Sequence, residues 1–261
     1  GMTTRVVLVG AGNVGAHLAR RLAERGWPPV QVFSRNAEKA AKVARSSGAE
    51  AVSDLQKIRP DADVYLLAVH DDAIETVASQ LAKTLPHNTL VAHTSGATPS
   101  AVLARHFRHY GVFYPLQTFS AGRQPEFAHI PICVFAPDAQ DLALLKTLAG
   151  HVSHSVREVN DEQRATLHLA AVFVNNFVNL MYRLGSDIVQ KEGIPFDALL
   201  PLIQETALKV VDGLPPADAQ TGPARRGDSA TMQRHLDLLN GQPEWQQMYR
   251  LLSEAIMKRD V

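Results

Sequence analysis

An α/β domain built on a parallel sheet, followed by an all-α domain, is the architecture this sequence predicts. Three observations predict it. Short β-branched runs alternate with helical patterns as far as Asn160, a glycine-spaced turn joins the first run to the first helix, and beyond Asn160 only long helical patterns remain. Strand–helix alternation of this kind implies parallel strands covered on both faces.

In chain order, RVVLVG (5–10) reads as a strand and NVGAHLARRLAERG (13–26) as a helix closed by Gly26. VQVFS (30–34) is the next strand and NAEKAAKVARSSG (36–48) the next helix, again closed by glycine. Glycine takes the left-handed conformation that ends helices. DVYLLAV (63–69), TLVAHT (89–94) and GVFYPL (111–116) are further strands, with a helix at 71–85 between the first two. PICVFA (131–136) and HSVREV (154–159) flank a helix at 138–150. Helices follow at 161–191, 196–212, 228–240 and 243–259. The Gly- and Pro-rich loop DGLPPADAQTGPARRGD (212–228) separates the second of these from the third. The expected domains are therefore 1–159 and 160–261.

Hydrophobic residues make up 46% of the chain and charged residues 20%, proportions of a globular protein. No stretch reaches the ~20 apolar residues of a membrane span, and nothing resembles a signal peptide, so no membrane association is expected. Lys+Arg and Asp+Glu are equal at 26 each, without a basic tract, which argues against nucleic acid as a partner. Cys133 is the only cysteine, which excludes an intrachain disulfide and a cysteine-based zinc site. No metal site is expected, and the expected compartment is a reducing cytoplasm.

Gly10-Ala11-Gly12-Asn13-Val14-Gly15 is a GxGxxG between a strand and a helix, inside a βαβ unit, the context that gives the motif meaning. Gly10 permits the tight turn, Gly12 lets backbone approach a pyrophosphate, and Gly15 lets the helix pack on the strand. The helix N-terminus, with Asn13 and Val14, offers N–H groups and a positive dipole end to phosphates. Residues 1–159 thus read as a Rossmann-like nucleotide-binding domain. In such domains an acid about 20 residues further on holds the ribose 2′-hydroxyl of NAD. This chain has Ser34-Arg35-Asn36 there, followed by Lys39. Arg35 suits a 2′-phosphate and Ser34 can hydrogen-bond it, which points to NADP(H). Ser34 or Asn36 as a plain helix cap is compatible with this.

Ligands of open α/β sheets sit outside the carboxyl ends of the strands. Those ends read AVHDD (68–72), AHTSGA (92–97) and YPLQTFS (114–120). They nominate Val69 and Ser95 beside the cofactor, His93 as an acid/base group and Gln117 at the substrate. The plainer readings are a helix cap at Asp71 or Asp72 and a turn over SGATPS. No Ser-His-Asp order, HExxH or paired carboxylates stand out, and hydride transfer requires none, because the cofactor carries the chemistry.

With these residues placed, GAGNVG, YPLQTF, HLAAVFVNNFVNL and TGPARRGD together resemble NADP-dependent oxidoreductases that join a Rossmann domain to a helical domain. That group includes pyrroline-5-carboxylate reductase, the 3-hydroxyacid dehydrogenases, ketopantoate reductase and the deazaflavin-dependent NADP reductase. The sequence is most similar to a bacterial family whose helical C-terminal domain has no known function. The resemblance implies an oxidoreductase fold with NADP and supplies no substrate. The 3-hydroxyacid dehydrogenases carry a catalytic lysine in a Lys-x-x-Asn-Asn pattern. Aligning Asn175-Asn176 on that pair puts Val172 at the lysine position, which removes the usual acid/base route between hydroxyl and ketone. Neither the lysine of ketopantoate reductase nor the Ser-Gly-Ser-Gly-Pro-Ala segment of pyrroline-5-carboxylate reductase has a counterpart in DEQRATLH.

The asparagines of HLAAVFVNNFVNL raise a question of their own, since asparagine is a poor helix former. On a helix of about 100° per residue, His168, Val172, Asn175, Asn176, Asn179 and Arg183 share one arc of about 100°. Leu169, Phe173, Phe177, Val174, Met181 and Leu184 take the other side. The stripe reads as a solvent face, as a polar seam between subunits, or as a cleft wall whose amides hold a substrate. The last reading nominates His168, Asn175 and Asn179 for catalysis and Asn176 for substrate binding. Arg226 (or Arg225) is nominated to hold a substrate carboxylate, against a plain linker in which Asp228 caps the next helix.

These readings combine into an NADP(H)-dependent oxidoreductase acting on a small carbonyl or imine compound by hydride transfer. Residues 160–261 supply substrate contacts and a homodimer interface. A protonated imine needs little acid catalysis, which suits Val172; for a carbonyl the acid is His93 or His168. The rivals are a non-catalytic NADP-binding sensor or scaffold, and hydride exchange between NADP and another redox cofactor.

Overall fold

The structure, a computed structural model, describes residues 4–259. Positions 1–3 and 260–261, the outer ends of the two expected domains, lie outside the described residues. Strands β1 (Val6–Val9), β2 (Gln31–Phe33), β3 (Glu50–Val52), β4 (Val64–Leu67), β5 (Leu90–His93), β6 (His109–Pro115), β7 (Ile132–Phe135) and β8 (Val156–Glu158) form one sheet in the order β3-β2-β1-β4-β5-β6-β7-β8. Every residue of β1, β4 and β5 is buried. These Val- and Leu-rich runs have no solvent face because helices cover both sides. Val6 and Leu8 enter one core with Leu18 and Leu22, whereas Val7 and Val9 enter the other with Ile74 and Leu81.

The chain steps outward from β1 through β2 to β3, then restarts with β4 on the other side of β1. This reversal opens a crevice at the carboxyl ends of β1 and β4. Helices α1 (Asn13–Glu24), α2 (Ala37–Ser47), α3 (Ile74–Ala82), α4 (Ala101–Ala104) and α5 (Ala139–Val152) fill the connections. Asn36 starts α2 by accepting the Glu38 and Lys39 N–H groups, and Gly48 ends it in the left-handed region.

Two features of the sheet depart from the sequence expectation. β3 is an additional strand, three residues long and with Glu50 and Ala51 exposed, so it carries no apolar run to read. β7 runs antiparallel to β6. Residues 116–131 between them hold only a short 3-10 turn at Phe127–His129, and without a crossover helix the next strand returns antiparallel.

The remaining chain is helical: α6 (Asp161–Ala171), a π turn (Val172–Phe177), α7 (Val178–Gln190), α8 (Leu200–Val211), α9 (Pro216–Ala219), α10 (Pro223–Arg226), α11 (Ser229–Leu238) and α12 (Pro243–Arg259). A capping box starts α6: Asn160 accepts the Gln163 N–H, and Gln163 accepts the Asn160 N–H. The expected loop 212–228 contains α9 and α10, each a single turn begun by proline, whose fixed φ suits a helix start. The chain divides into two compact units, one ending at Leu180 and one beginning at Met181. The change from strands to helices at Asn160 therefore precedes the division of packing, and α6 with the π turn belongs with the sheet.

Candidate active-site cleft

At the end of β1, Gly10 sits at φ +127°, and a Cβ there would lie 2.2 Å from the Ala68 carbonyl oxygen. A Cβ on Gly15 would meet the Gly10 carbonyl oxygen at 2.0 Å. These two glycines let β1, α1 and the end of β4, next to Val69, approach closely. Gly12 differs, because a Cβ there meets nothing within 4 Å. It caps α1 with no side-chain hydrogen bond, and no acid occupies the first turn. The free N–H groups at Gly12, Asn13 and Val14 are thus open to an anion. At the end of β2, the Ser34 hydroxyl accepts the Asn36 N–H (3.1 Å). Arg35 and Lys39 are exposed. The donors and the missing acid fit a dinucleotide that carries a 2′-phosphate.

Beside this turn lies a cleft of about 680 Å³. Val14 of α1 forms one edge. Tyr114 and the segment Leu116–Phe119 beyond β6 form a second wall, and residues Leu167 to Asn176 of the long helix form the third. None of its lining residues is Asp, Glu, Lys or Arg. Its polar groups are the side chains of Tyr114, Gln117, Thr118, His168, Asn175 and Asn176.

Buried contacts hold the two walls. Asp161, in the first turn of α6, accepts the Ser100 N–H (3.0 Å) and hydroxyl (2.9 Å) through Oδ2. Its Oδ1 lies 3.0 Å from Nη1 of Arg164, which is 1% exposed and whose Nη2 donates to the Thr98 carbonyl. Such a pair orients more reliably than it stabilises, and it fixes α6 one turn before His168. On the second wall, Arg20 donates to Nδ1 of His17 (2.9 Å), which leaves Nε2 to donate to the Ser120 carbonyl (3.2 Å). Burial, opposed by that hydrogen bond and aided by Arg20, lowers the His17 pKa and keeps the ring neutral. The Leu116–Ser120 segment is thereby tied to α1.

The cleft brings together Val14, Gln117, His168, Asn175 and Asn176 from among the residues nominated by sequence. It does not bring in His93, Ser95 or Asn179. His93 is wholly buried, and its Nδ1 accepts the Ser95 N–H (3.0 Å). Burial, then the Arg164 charge, lowers its pKa to about 4. The Ser95 hydroxyl accepts the Ala97 and Thr98 N–H groups and closes the turn over SGATPS. Asn179 is exposed and lies beyond the π turn. A π turn inserts roughly one residue into the helical repeat, rotating the succeeding turns by about 100°. The straight-helix arc therefore fails there: Val174, placed on the far side by the arc, lines the cleft. Arg226 ends α10 in the second unit, exposed and 3.9 Å from Asp228. Asp228 caps α11 by accepting the Thr231 N–H, which is the plainer of the two expectations for this loop.

Sequence reasoning missed Tyr114 and Gly96. The Tyr114 and His168 rings meet edge-on at 6.4 Å, and both press on Gly96, where a Cβ would lie 2.5 Å from His168 and 2.7 Å from Tyr114. The only available signal was the tyrosine in YPLQTF. At the other end of β6, the ligand atoms of His109, Asp138 and Asp141 lie within 4.8 Å of one another. Asp138 is the N-cap of α5 and His109 hydrogen-bonds Asp141 at 2.6 Å, so helix capping already accounts for this group.

Comparison with known proteins places the chain. Residues 5–96 match the family described as NADP oxidoreductase, coenzyme F420-dependent, and residues 130–256 match a domain of unknown function, DUF2520. The chain is 42% identical to a provisionally named NADP oxidoreductase from Bacteroides fragilis, with 98% of each chain covered and a TM-score of 0.92. The chain belongs to this NADP oxidoreductase family. It is also 32% identical over 103 residues to pyrroline-5-carboxylate reductase from Pseudomonas aeruginosa, a match covering 39% of this chain and 38% of that one. Across the curated relatives it matches, it spans 17% to 38% of their length. A reductive aminase from Aspergillus terreus, in complex with NADPH and ethyl-5-oxohexanoate, shares the fold at 17% identity and a TM-score of 0.70, with 98% and 94% of the two chains covered. Among the described residues of this family member, no helix is long and apolar enough to cross a membrane.

Proposed function

We propose that this family member uses NADPH to reduce a small, uncharged carbonyl or imine compound. The observation that carries this reading is that one cleft is lined both by Val14, at the phosphate-facing start of α1, and by Asn175 on the long helix. Gly12 and the α1 N-terminus would hold the pyrophosphate, and Arg35 and Ser34, with Lys39 near, the 2′-phosphate. The bound cofactor supplies the hydride. Asn175 and Asn176 each offer a donor and an acceptor to orient the substrate. Val172, at the position of the dehydrogenases' lysine, suits an acceptor that needs little acid catalysis. Of the two histidines nominated as acids, His168 is the one at the cleft. An uncharged substrate matches walls without carboxylate, ammonium or guanidinium groups.

The described match of residues 5–96 to an F420-dependent family favours one second reading, hydride exchange with a deazaflavin. The large apolar residues exposed from Leu169 to Met257 support a homodimer built through the helical segment.

NADPH consumption across neutral ketones, cyclic imines, their carboxylate-bearing counterparts and a deazaflavin tests the proposal. Turnover of neutral imines or ketones is expected. A preference for carboxylates sinks the uncharged-substrate reading, turnover of the deazaflavin alone favours exchange, and silence with tight NADPH binding favours a sensor.

A further inference from the structure

We infer that Tyr114 is the proton donor of the cleft, taking the place of the lysine that Val172 replaces. The inference rests on the reductase reading above and adds the residue that completes its chemistry. Tyr114 stands on β6, across the cleft from the helix that carries Val172 and Asn175, so the donor comes from the opposite wall. Its side chain is half-buried, yet its hydroxyl makes no hydrogen bond among the described residues. Because Tyr114 lines the cleft, that unpaired hydroxyl is open to a bound ligand. The ring is held by the edge-on contact with His168 at 6.4 Å and by the bare backbone of Gly96, whose missing Cβ leaves the room that both rings occupy. Glycine is required there for space. Across the sheet Tyr114 pairs in register with Cys133, and Phe113 beside it pairs with Val134, which anchors the β6 end of the wall.

Burial, reinforced by Cys133, pushes the Tyr114 pKa up to about 12, so the phenol keeps its proton throughout the physiological range. For a ketone, the carbon gains the hydride, the C=O π pair moves onto oxygen, and that oxygen takes the proton as the Tyr114 O–H bond breaks. The resulting phenolate regains its proton from water. For an already protonated imine, the same hydroxyl only orients the nitrogen. The dependence on Tyr114 is therefore stronger for a ketone than for an imine.

The test is Tyr114→Phe, with cyclohexanone and 2-methyl-1-pyrroline as probes. NADPH affinity by isothermal titration is expected to stay within twofold of wild type. Cyclohexanone turnover is expected to fall about 100-fold or more, the size of a lost general acid, and pyrroline turnover about tenfold or less. Ligand-observed NMR of cyclohexanone on the NADP+-loaded protein supplies a readout free of turnover, with roughly tenfold weaker binding expected in the variant. Turnover or ketone binding that survives Tyr114→Phe within threefold overturns the inference while leaving the reductase reading intact. A parallel loss of NADPH affinity makes the role structural and also overturns it. Failure of wild type to bind or reduce either probe counts against both.

Discussion

Up to Val152 the large apolar residues of the chain lie inside it, whereas from Leu169 onward many lie on its surface. Val7 and Leu66 are fully buried, while Phe173 is 60% exposed, Val211 76% and Leu238 82%. Beyond Val152, the buried apolar residues among those described are two small ones, Ala219 and Ala224. No residue of α7, α8, α11 or α12 is buried. The sheet region completes its own core, covered on both faces by its own helices. The helical segment carries an apolar surface that its own chain leaves open, and exposed patches of this kind mark interaction surfaces.

The strongest way to break this contrast is to charge the open surface. Leu202→Asp with Val211→Asp is expected to convert a species of twice the 28.5 kDa chain mass into a monomer, read by light scattering after gel filtration. A wild-type chain that is already monomeric at micromolar concentration would remove the contrast's functional meaning.

A smaller effect probes the closed interior of the sheet region. His93 is neutral when folded, with a pKa of about 4 against 6.5 for a free histidine. The unfolded chain therefore binds a proton in this window that the folded chain does not. The stabilisation is intact above pH 6.5 and is lost as pH falls from 6.5 toward 4. It amounts to about 3 kcal/mol. Denaturant melts across this range check it, with His93→Asn expected to flatten the slope.

Arg35→Glu sharpens the nucleotide end of the cleft. NADPH affinity is expected to drop about 10- to 100-fold, as for one charged hydrogen-bonded contact, with NADH affinity within twofold. Equal losses for both nucleotides would show that Arg35 does not read the 2′-phosphate. The smallest expected change in stability follows Gly96→Ala. The methyl group enters the junction of Tyr114 and His168, a site of overpacking that costs about 1–3 kcal/mol. A lowered melting temperature and weakened ketone turnover are expected together.

The same contrast explains what could be read in advance. GAGNVG and the Val/Leu strands were legible because local spacing alone dictates a tight turn before a helix and a run buried on both faces. The start of α6 was legible at Asn160 because strand patterns give way there to long helical ones, and the structure adds the capping box with Gln163. β3 escaped because EAV has no apolar run. The π turn escaped because an angular count assumes one repeat throughout, and so Asn179 was placed on a stripe that ends before it. His93 and His168 looked alike as residue types. Packing alone distinguishes them, since β5 carries His93 into the core while the Asp161–Arg164 anchor sets α6 so that His168 lines the cleft. Tyr114 was hidden for a related reason, because only the packing of α6 brings His168 against its ring and over Gly96.

We propose that this cleft moves a hydride from NADPH onto a small uncharged acceptor. The most direct measurement is mass spectrometry of the product formed from 2-methyl-1-pyrroline and NADPH deuterated at the transferring carbon. One deuterium is expected in the product with wild type, and at least a tenfold slower appearance with Asn175→Ala. NADPH that binds tightly but leaves no deuterium in any neutral imine or ketone would contradict it.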